Sequence, residues 1–249
     1  MFAKEIRHHI YAIYSLARIA DEIVDTYRGK DAAKKLDELE SETFSAMLDG
    51  YSTNLIVHAF AKTSIFCDMP EDIVRAFFKS MRMDLKPQKY TKQLYETYIY
   101  GSAEVIGLMC LRVFCIGNQS NYDILAPGAK KLGSAYQKVN FLRDITQDYK
   151  ELGRLYFPEL NYDKFSDKDK AKLVAEINNE FDEAANAIEN LPSNGRAAVT
   201  ASYIYYRSIL DKLDKCKVEN IKKTRIRINT PRKLAILLSV FIKSKLGLL

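Results

Sequence analysis

The sequence predicts an all-α fold of about eight to ten helices. Apolar residues recur at the three- and four-residue spacing of a helical face along almost the whole chain. Only 10 Gly and 6 Pro occur in 249 residues, and most of them fall between the helical segments. No linker or shift in composition divides the chain, so residues 1–249 are predicted to form a single domain.

The predicted helices follow one another from the N-terminus. In the first, Ile6, Ile13 and Val24 share one stripe, which we expect to enter the core. The sixth is long and is expected to be interrupted early, at Pro127. The helical pattern covers nine segments: 4–28, 31–49, 52–66, 70–84, 89–117, 121–151, 167–191, 194–215 and 231–247.

Breaks between these segments have clear causes. Gly50, Pro70 and Pro87 separate the second to fifth segments, and Pro192 separates two later ones. Residues 225–229 alternate between basic and apolar side chains, which predicts a strand-like or extended stretch.

Composition and absent motifs exclude several functional classes. The four cysteines form no C-x-x-C pair, and the N-terminus has no secretory signal, which predicts a cytoplasmic protein with reduced thiols. No apolar run approaches the roughly 20 residues of a membrane span. Fingerprints of dinucleotide-binding, P-loop, α/β-hydrolase and zincin proteins are absent. A net charge of +6 weakly favours anionic partners.

A first acidic motif lies in the first predicted helix. Asp21 and Asp25 are one helical turn apart, and Arg18 falls on the same side. Their apolar neighbours argue against a plain solvated face, and carboxylates in such a setting need a counter-charge such as a divalent cation. Ordinary surface acids on an N-terminal helix remain the alternative.

A second motif lies in the long helix. Its polar stripe carries short side chains suited to fixed contacts, whereas solvent faces usually carry Lys and Glu. Arg143 and Arg154 flank it and are suited to bidentate phosphate contacts. The stripe consists of Gln137, Asn140, Asp144 and Asp148.

Together the two motifs are more informative than either alone. Mg²⁺ prefers one or two carboxylates together with waters and substrate phosphates. Two Asp-x-x-x-Asp faces therefore predict Mg²⁺ ions that bind a diphosphate. They also predict a reaction in which diphosphate is the leaving group.

A third stretch places Tyr100, Ala103, Glu104 and Gly107 on one helical face. Small residues leave room beside a helix. That room serves either close helix packing or a long hydrocarbon chain, and the sequence leaves both open.

At these residues the chain resembles the phytoene/squalene synthase family, whose members join two prenyl diphosphates head to head. The resemblance extends from Met1 to about residue 230. The matching stretches are 14–25, 100–107 and 137–148, with 153–158.

The resemblance implies an isoprenoid-synthase-type helical bundle around a central cavity. It implies that Asp21, Asp25, Asp144 and Asp148 bind Mg²⁺ and act with Tyr100 in catalysis. It assigns substrate binding to Arg18, Gln137, Asn140, Arg143, Arg154 and Tyr206. The expected reaction converts geranylgeranyl diphosphate to phytoene. The alternative is squalene or dehydrosqualene from farnesyl diphosphate, with NADPH needed only for squalene.

Three departures from the family pattern accompany the resemblance. Family members usually begin earlier, with a Ser-containing segment that covers the diphosphates, whereas Met1 already lies in the first helix. We therefore expect that segment to be missing, with consequences for full activity. Glu22 replaces a common Asp, and Gln147 replaces an acid.

A non-catalytic membrane-surface protein that keeps the fold is the competing hypothesis. The basic stretch 217–233 and the apolar end 234–249 suggest peripheral contact with an anionic membrane at its inner face. A nucleic-acid partner is disfavoured because no recognition module is present.

Overall fold

The structure, a computed structural model, describes residues 1–27, 29–86 and 88–249. Residue 28, the end of the first predicted helix, and Pro87, a predicted break, lie outside the described residues. The helices are α1 (Lys4–Asp21), α2 (Ala32–Asp49), α3 (Leu55–Phe66), α4 (Glu71–Met83), α5 (Lys92–Ile99), α6 (Val105–Phe114), α7 (Gln119–Glu151), α8 (Asp167–Glu189), α9 (Ser193–Lys215), α10 (Val218–Lys223) and α11 (Thr230–Lys245).

The all-α prediction is confirmed. Within the described ranges, β-structure is limited to one isolated bridge between Lys89 and Leu155. Residues 225–229 are non-helical and connect α10 with α11 without forming a strand. No helix in the described part of the chain is both long and apolar enough to cross a membrane.

Two π-helical turns alter the predicted helices. The first, Glu22–Thr26, continues α1, and the second, Tyr100–Glu104, joins α5 to α6. A π-turn holds one more residue than an α-turn and shifts the angular position of everything after it. The predicted helix 89–117 is therefore two helices with different faces.

Helix α7 is the central element of the fold. Its 33 residues pack against α6, α8, α9 and the turn Tyr100–Glu104. The predicted interruption at Pro127 is wrong, since Pro127 lies inside the helix. Contacts of the surrounding turns with α6 and α8 outweigh the loss of one backbone hydrogen bond.

A buried ionic network fixes α7 against α8. Lys138 Nζ lies 2.9 Å from Glu180 Oε1, and the two side chains are 8% and 12% exposed. Ser134 donates its hydroxyl to the same carboxylate at 2.9 Å, and Lys138 also contacts Glu176. Because Gln137 and Asp144 are on the same helix, the network also sets the position of the polar stripe.

Candidate active site

A polar cavity of about 740 Å³ opens between α1, α7 and the turn Tyr100–Glu104. It brings together side chains more than a hundred residues apart in sequence. Ten of the eleven predicted site residues line it: Arg18, Asp21, Asp25, Gln137, Asn140, Arg143, Asp144, Asp148, Arg154 and Tyr206.

The first acidic face spans the junction of α1 with its π-turn. Arg18 donates from Nη1 to Asp21 Oδ2 at 2.6 Å and also contacts Glu22. Burial, followed by the nearby charge of Asp25, raises the pKa of Asp21. Asp25 accepts a hydrogen bond from Arg154 Nη1 at 2.6 Å.

The second acidic face, on α7, holds two carboxylates with different electrostatic surroundings. Asp144 lies between Arg143, whose Nη2 is 2.5 Å from Oδ2, and Arg225, whose Nε is 2.7 Å from Oδ1. Asp148 forms no ion pair with any described residue. Burial and the neighbouring Asp144 raise the pKa of Asp148 to about 7.

Arg154 connects the cavity wall to a buried polar cluster. Its Nη2 donates to the Asp84 carbonyl at 2.6 Å. The Asp84 carboxylate accepts hydroxyl hydrogen bonds from Tyr98 at 2.6 Å and from Tyr156 at 3.1 Å. Burial nevertheless raises the pKa of Asp84 to about 6. These contacts hold the Arg154 guanidinium, and with it Asp25, in one position.

The polar and aromatic cavity residues that were not predicted include Asp84, Tyr98, Tyr156 and Arg225. Tyr156 lies two residues beyond Arg154, inside a matched stretch, so the resemblance offered a signal for it. Arg225 belongs to the alternating basic run, which carries no sign of its contact with Asp144. Asp84 has no motif around it.

Tyr100 is the predicted residue that the structure places elsewhere. It lines neither this cavity nor the apolar one described below, and its ring lies 5.3 Å from Lys130 Nζ. Tyr98, two residues earlier, lines the polar cavity. The π-turn begins at Tyr100, so a face extrapolated from a regular helix directs Tyr100, and not Tyr98, toward the cavity.

An apolar cavity of about 710 Å³ adjoins the polar one, and Ser102, Ile106 and Gln137 line both. Its wall includes Gly107 and Gly133. A side chain at Gly133 would start 2.5 Å from the Ala103 carbonyl oxygen, so this glycine serves close helix packing. The wall of the apolar cavity is therefore densely packed at Gly133, and the cavity beside it is open. Both alternatives left open by the small residues are present in the structure.

The residues present fit Mg²⁺. Four carboxylates face one cavity, and burial and mutual repulsion raise the pKa values of Asp21 and Asp148, as expected of negative charge without sufficient compensation. Asn140 Oδ1 is buried without a hydrogen-bond partner in the described chain. Among the described residues, no group of three or more His, Cys, Asp or Glu side chains is placed to hold a metal ion without other ligands. Such an open donor set suits Mg²⁺, which keeps waters and binds phosphate oxygens.

Comparisons with known proteins agree on a family. A model of the family described as squalene/phytoene synthase matches residues 1–232. The chain is 30% identical over 271 residues to phytoene synthase 1, chloroplastic, of Solanum lycopersicum, covering 98% of this chain and 63% of that protein. It is 32% identical to phytoene synthase 1, chloroplastic, of Arabidopsis thaliana, covering 99% and 62% respectively. The chain thus spans less than two thirds of the length of these relatives.

Solved structures show the same fold. A dehydrosqualene synthase in complex with ligand superposes with a TM-score of 0.79 at 20% identity, covering 98% of this chain and 89% of that one. Squalene synthase HpnC from Alicyclobacillus acidocaldarius gives a TM-score of 0.73 at 22% identity, with coverages of 85% and 84%. The predicted isoprenoid-synthase-type bundle is therefore confirmed.

Proposed function

Because the chain belongs to the squalene/phytoene synthase family, we propose that it condenses two molecules of geranylgeranyl diphosphate head to head to phytoene. The observation that carries this proposal is a pair of adjoining cavities of different chemistry, which share Ser102, Ile106 and Gln137 in their walls. Two aspartate faces and four arginines line the polar cavity, and mostly apolar side chains line the other.

The polar cavity suits the two diphosphates. Arg18, Arg143, Arg154 and Arg225 all line it, and each now neutralises an aspartate that substrate binding would release or share. Asp21, Asp25, Asp144 and Asp148 would hold Mg²⁺. When bound, the metal neutralises the charge that develops on departing diphosphate.

The residues beyond the arginines suit a carbocation. In the family reaction, one allylic diphosphate ionises and the double bond of the second molecule attacks the cation. The product is a cyclopropylcarbinyl diphosphate, which ionises in turn, rearranges and loses a proton. Phe141 and Tyr156 stack with centroids 4.0 Å apart beside Tyr98 and offer π-faces to positive charge. Burial raises the pKa of both tyrosines, which keeps their hydroxyls neutral.

The proposal also specifies the chain length of the prenyl diphosphate substrate. The named curated relatives are phytoene synthases, which favours the C20 substrate. The structural neighbours carry the names of squalene and dehydrosqualene synthases, which keeps farnesyl diphosphate as the alternative. NADPH is needed only in the squalene case, because that product is reduced.

The test is to incubate the purified chain with Mg²⁺ and either substrate, with and without NADPH. We expect a C40 hydrocarbon from geranylgeranyl diphosphate, complete loss of product with EDTA, and recovery with Mg²⁺. A C30 product from farnesyl diphosphate would show that the chain carries out the alternative reaction, the synthesis of squalene or dehydrosqualene. Failure to release diphosphate from either substrate would contradict the proposed function and favour a non-catalytic protein.

A pair of tyrosine variants tests the assignment within the site. Tyr98→Phe removes a hydroxyl from the cavity wall and from Asp84, and we expect it to lower kcat by about 10- to 100-fold. Tyr100→Phe, the matched control two residues away, should stay within about twofold of the parent. Steady-state diphosphate release measures both, and a larger effect at Tyr100 would contradict this placement.

A further inference from the structure

Two stacked tyrosines lie where the polar and apolar cavities adjoin. Tyr206 on α9 lines the polar cavity, and Tyr136 on α7 lines the apolar one. Their ring centroids are 4.1 Å apart, and the ring planes are inclined by 20°. Tyr136 directly precedes Gln137, which lies in the wall that both cavities share. The pair therefore places one aromatic ring on each side of the junction between the cavities.

The ring of Tyr136 is held by its neighbours on α8 and α9. Ser202 donates its hydroxyl to the carbonyl of Val199 at 2.9 Å, so its oxygen is left to accept from the Tyr136 hydroxyl at 2.7 Å. Phe181 packs against the same ring with centroids 6.0 Å apart. Tyr136 thus offers a fixed surface on which the ring of Tyr206 rests.

The junction is also where the reacting carbons of the proposed substrates would lie. With diphosphates in the polar cavity and hydrocarbon tails in the apolar one, the allylic carbons come between the two. The cyclopropylcarbinyl intermediate carries one diphosphate and two tails in a single molecule. Because apolar chains favour apolar surroundings and only one charged group remains, the intermediate should lie nearer to the apolar cavity than either substrate does. Its ionisation then takes place beside the stacked pair.

We propose that the Tyr136–Tyr206 pair stabilises the cation of the second ionisation, with Tyr136 as a positioning residue that holds the Tyr206 ring at the junction. This role rests on the proposed function. The C–O bond of the intermediate breaks with its electron pair on diphosphate, the three-membered ring opens in the rearrangement, and a proton passes from the carbon beside the cation to the released diphosphate. An aromatic face at the junction stabilises the positive charge until that proton leaves. Phe141 and Tyr156 line the polar cavity alone, where the first ionisation begins.

The test counts the diphosphate released for each prenyl diphosphate consumed, with the substrate that the parent accepts. The complete reaction releases two diphosphates from two substrates, whereas a reaction arrested at the intermediate releases one. Tyr136→Leu keeps an apolar side chain without the ring, and we expect the second step to slow by about 10- to 100-fold, so that the ratio falls and mass spectrometry detects the intermediate. Tyr136→Phe keeps the stack and should stay within about threefold of the parent. KM should change little in both variants, because Tyr136 lies outside the polar cavity.

Tyr149→Leu is the matched control. Tyr149 is also on α7 and stacks on Tyr162 with centroids 4.2 Å apart, and neither of these two residues lines a cavity. This variant should keep the parent's rate and stoichiometry. Tyr206→Leu removes the other ring of the pair and should cause the same arrest as Tyr136→Leu, so the test does not depend on the folding of one variant.

A second measurement needs no substrate. Burial raises the pKa of the Tyr206 hydroxyl above its ordinary value of 10.0. In NMR titrations of the full chain labelled with ¹³Cζ-tyrosine, Tyr206 should titrate at lower pH in Tyr136→Leu than in the parent, because the released ring gains contact with water. The signal of Tyr206 is the one that Tyr206→Phe lacks.

Several results would overturn the proposal. These are the parent's stoichiometry in Tyr136→Leu, equal losses in Tyr136→Phe and Tyr136→Leu, and an arrest in Tyr149→Leu. An unchanged titration of Tyr206 in Tyr136→Leu would refute the positioning role. If the parent releases no diphosphate from either substrate, the proposed function fails, and the titration alone decides whether Tyr136 positions Tyr206.

Discussion

Asp148→Asn is expected to lower kcat by about 10²- to 10³-fold while leaving the fold intact. Asp148 lines the polar cavity and, among the described residues, has no ion-pair partner. Its carboxylate is therefore the most available of the four for Mg²⁺, and an amide cannot replace its charge. Steady-state release of diphosphate with saturating Mg²⁺ measures the loss.

The same substitution should stabilise the metal-free protein. Burial and Asp144 raise the pKa of Asp148 to about 7, above its ordinary value of 3.8. The folded state therefore binds the proton more tightly than the unfolded state, and stability falls as pH rises from about 4 to about 7. At about pH 8 in EDTA, the Asn variant should melt roughly 2–8 °C above the parent, and the gap should narrow toward pH 5.

Asp123→Asn serves as the control for both measurements. Asp123 is exposed on the same helix and accepts a hydrogen bond from Gln119. Its variant should keep the parent's kcat and show little change in melting temperature. If Asp148→Asn retains kcat, or melts below the parent at every pH, our account of this carboxylate is wrong.

Lys138→Met is expected to destabilise the protein by about 3–5 kcal/mol. Methionine fills much of the volume but leaves the Glu180 carboxylate buried without its cation, with Ser134 still donating to it. Urea denaturation should show a lower midpoint with an unchanged slope. The expected loss of stability comes from the unpaired charge of Glu180, so a variant that also removes this charge provides the control.

Lys138→Met combined with Glu180→Gln removes both charges and keeps an acceptor for Ser134. The double variant should recover most of the lost stability, because neutral partners avoid the desolvation of an unpaired ion. If it is no more stable than Lys138→Met, the lysine acts through packing alone. Activity of the double variant would then report whether the network also sets the position of the stripe on α7.

Patterns local to one helix were predictable from the sequence. Amphipathic periodicity located the helices other than α10 to within a few residues, because an apolar stripe must face the core in any such fold. The Asp faces were predictable too, since their spacing is a property of one helix. Asp144 and Asp148 line the cavity together for that reason.

Features that depend on the path of the chain were not predictable. The contact of Arg225 with Asp144 joins positions 81 residues apart and depends on the route of the irregular stretch 225–229. Asp84 acquires its role only when Arg154 and Tyr98 fold around it. The position of Tyr98, and not Tyr100, on the cavity wall follows from a local change in helix phase that periodicity does not register.

The π-helical turn Tyr100–Glu104 has a consequence for how this helix tolerates change in length. Such a turn holds a surplus residue, so loss of a single residue there would relax it into a regular helix without breaking the rod. The two halves would keep nearly their present orientation, because a π-turn completes with one extra residue the turn that an α-helix completes without it. A one-residue gap within α5 or α6 would instead rotate the part of the helix beyond it by about 100°, so that Tyr98 and Ile106 no longer faced the same chamber. The π-turn is therefore the point in this helix that best tolerates the loss of a residue.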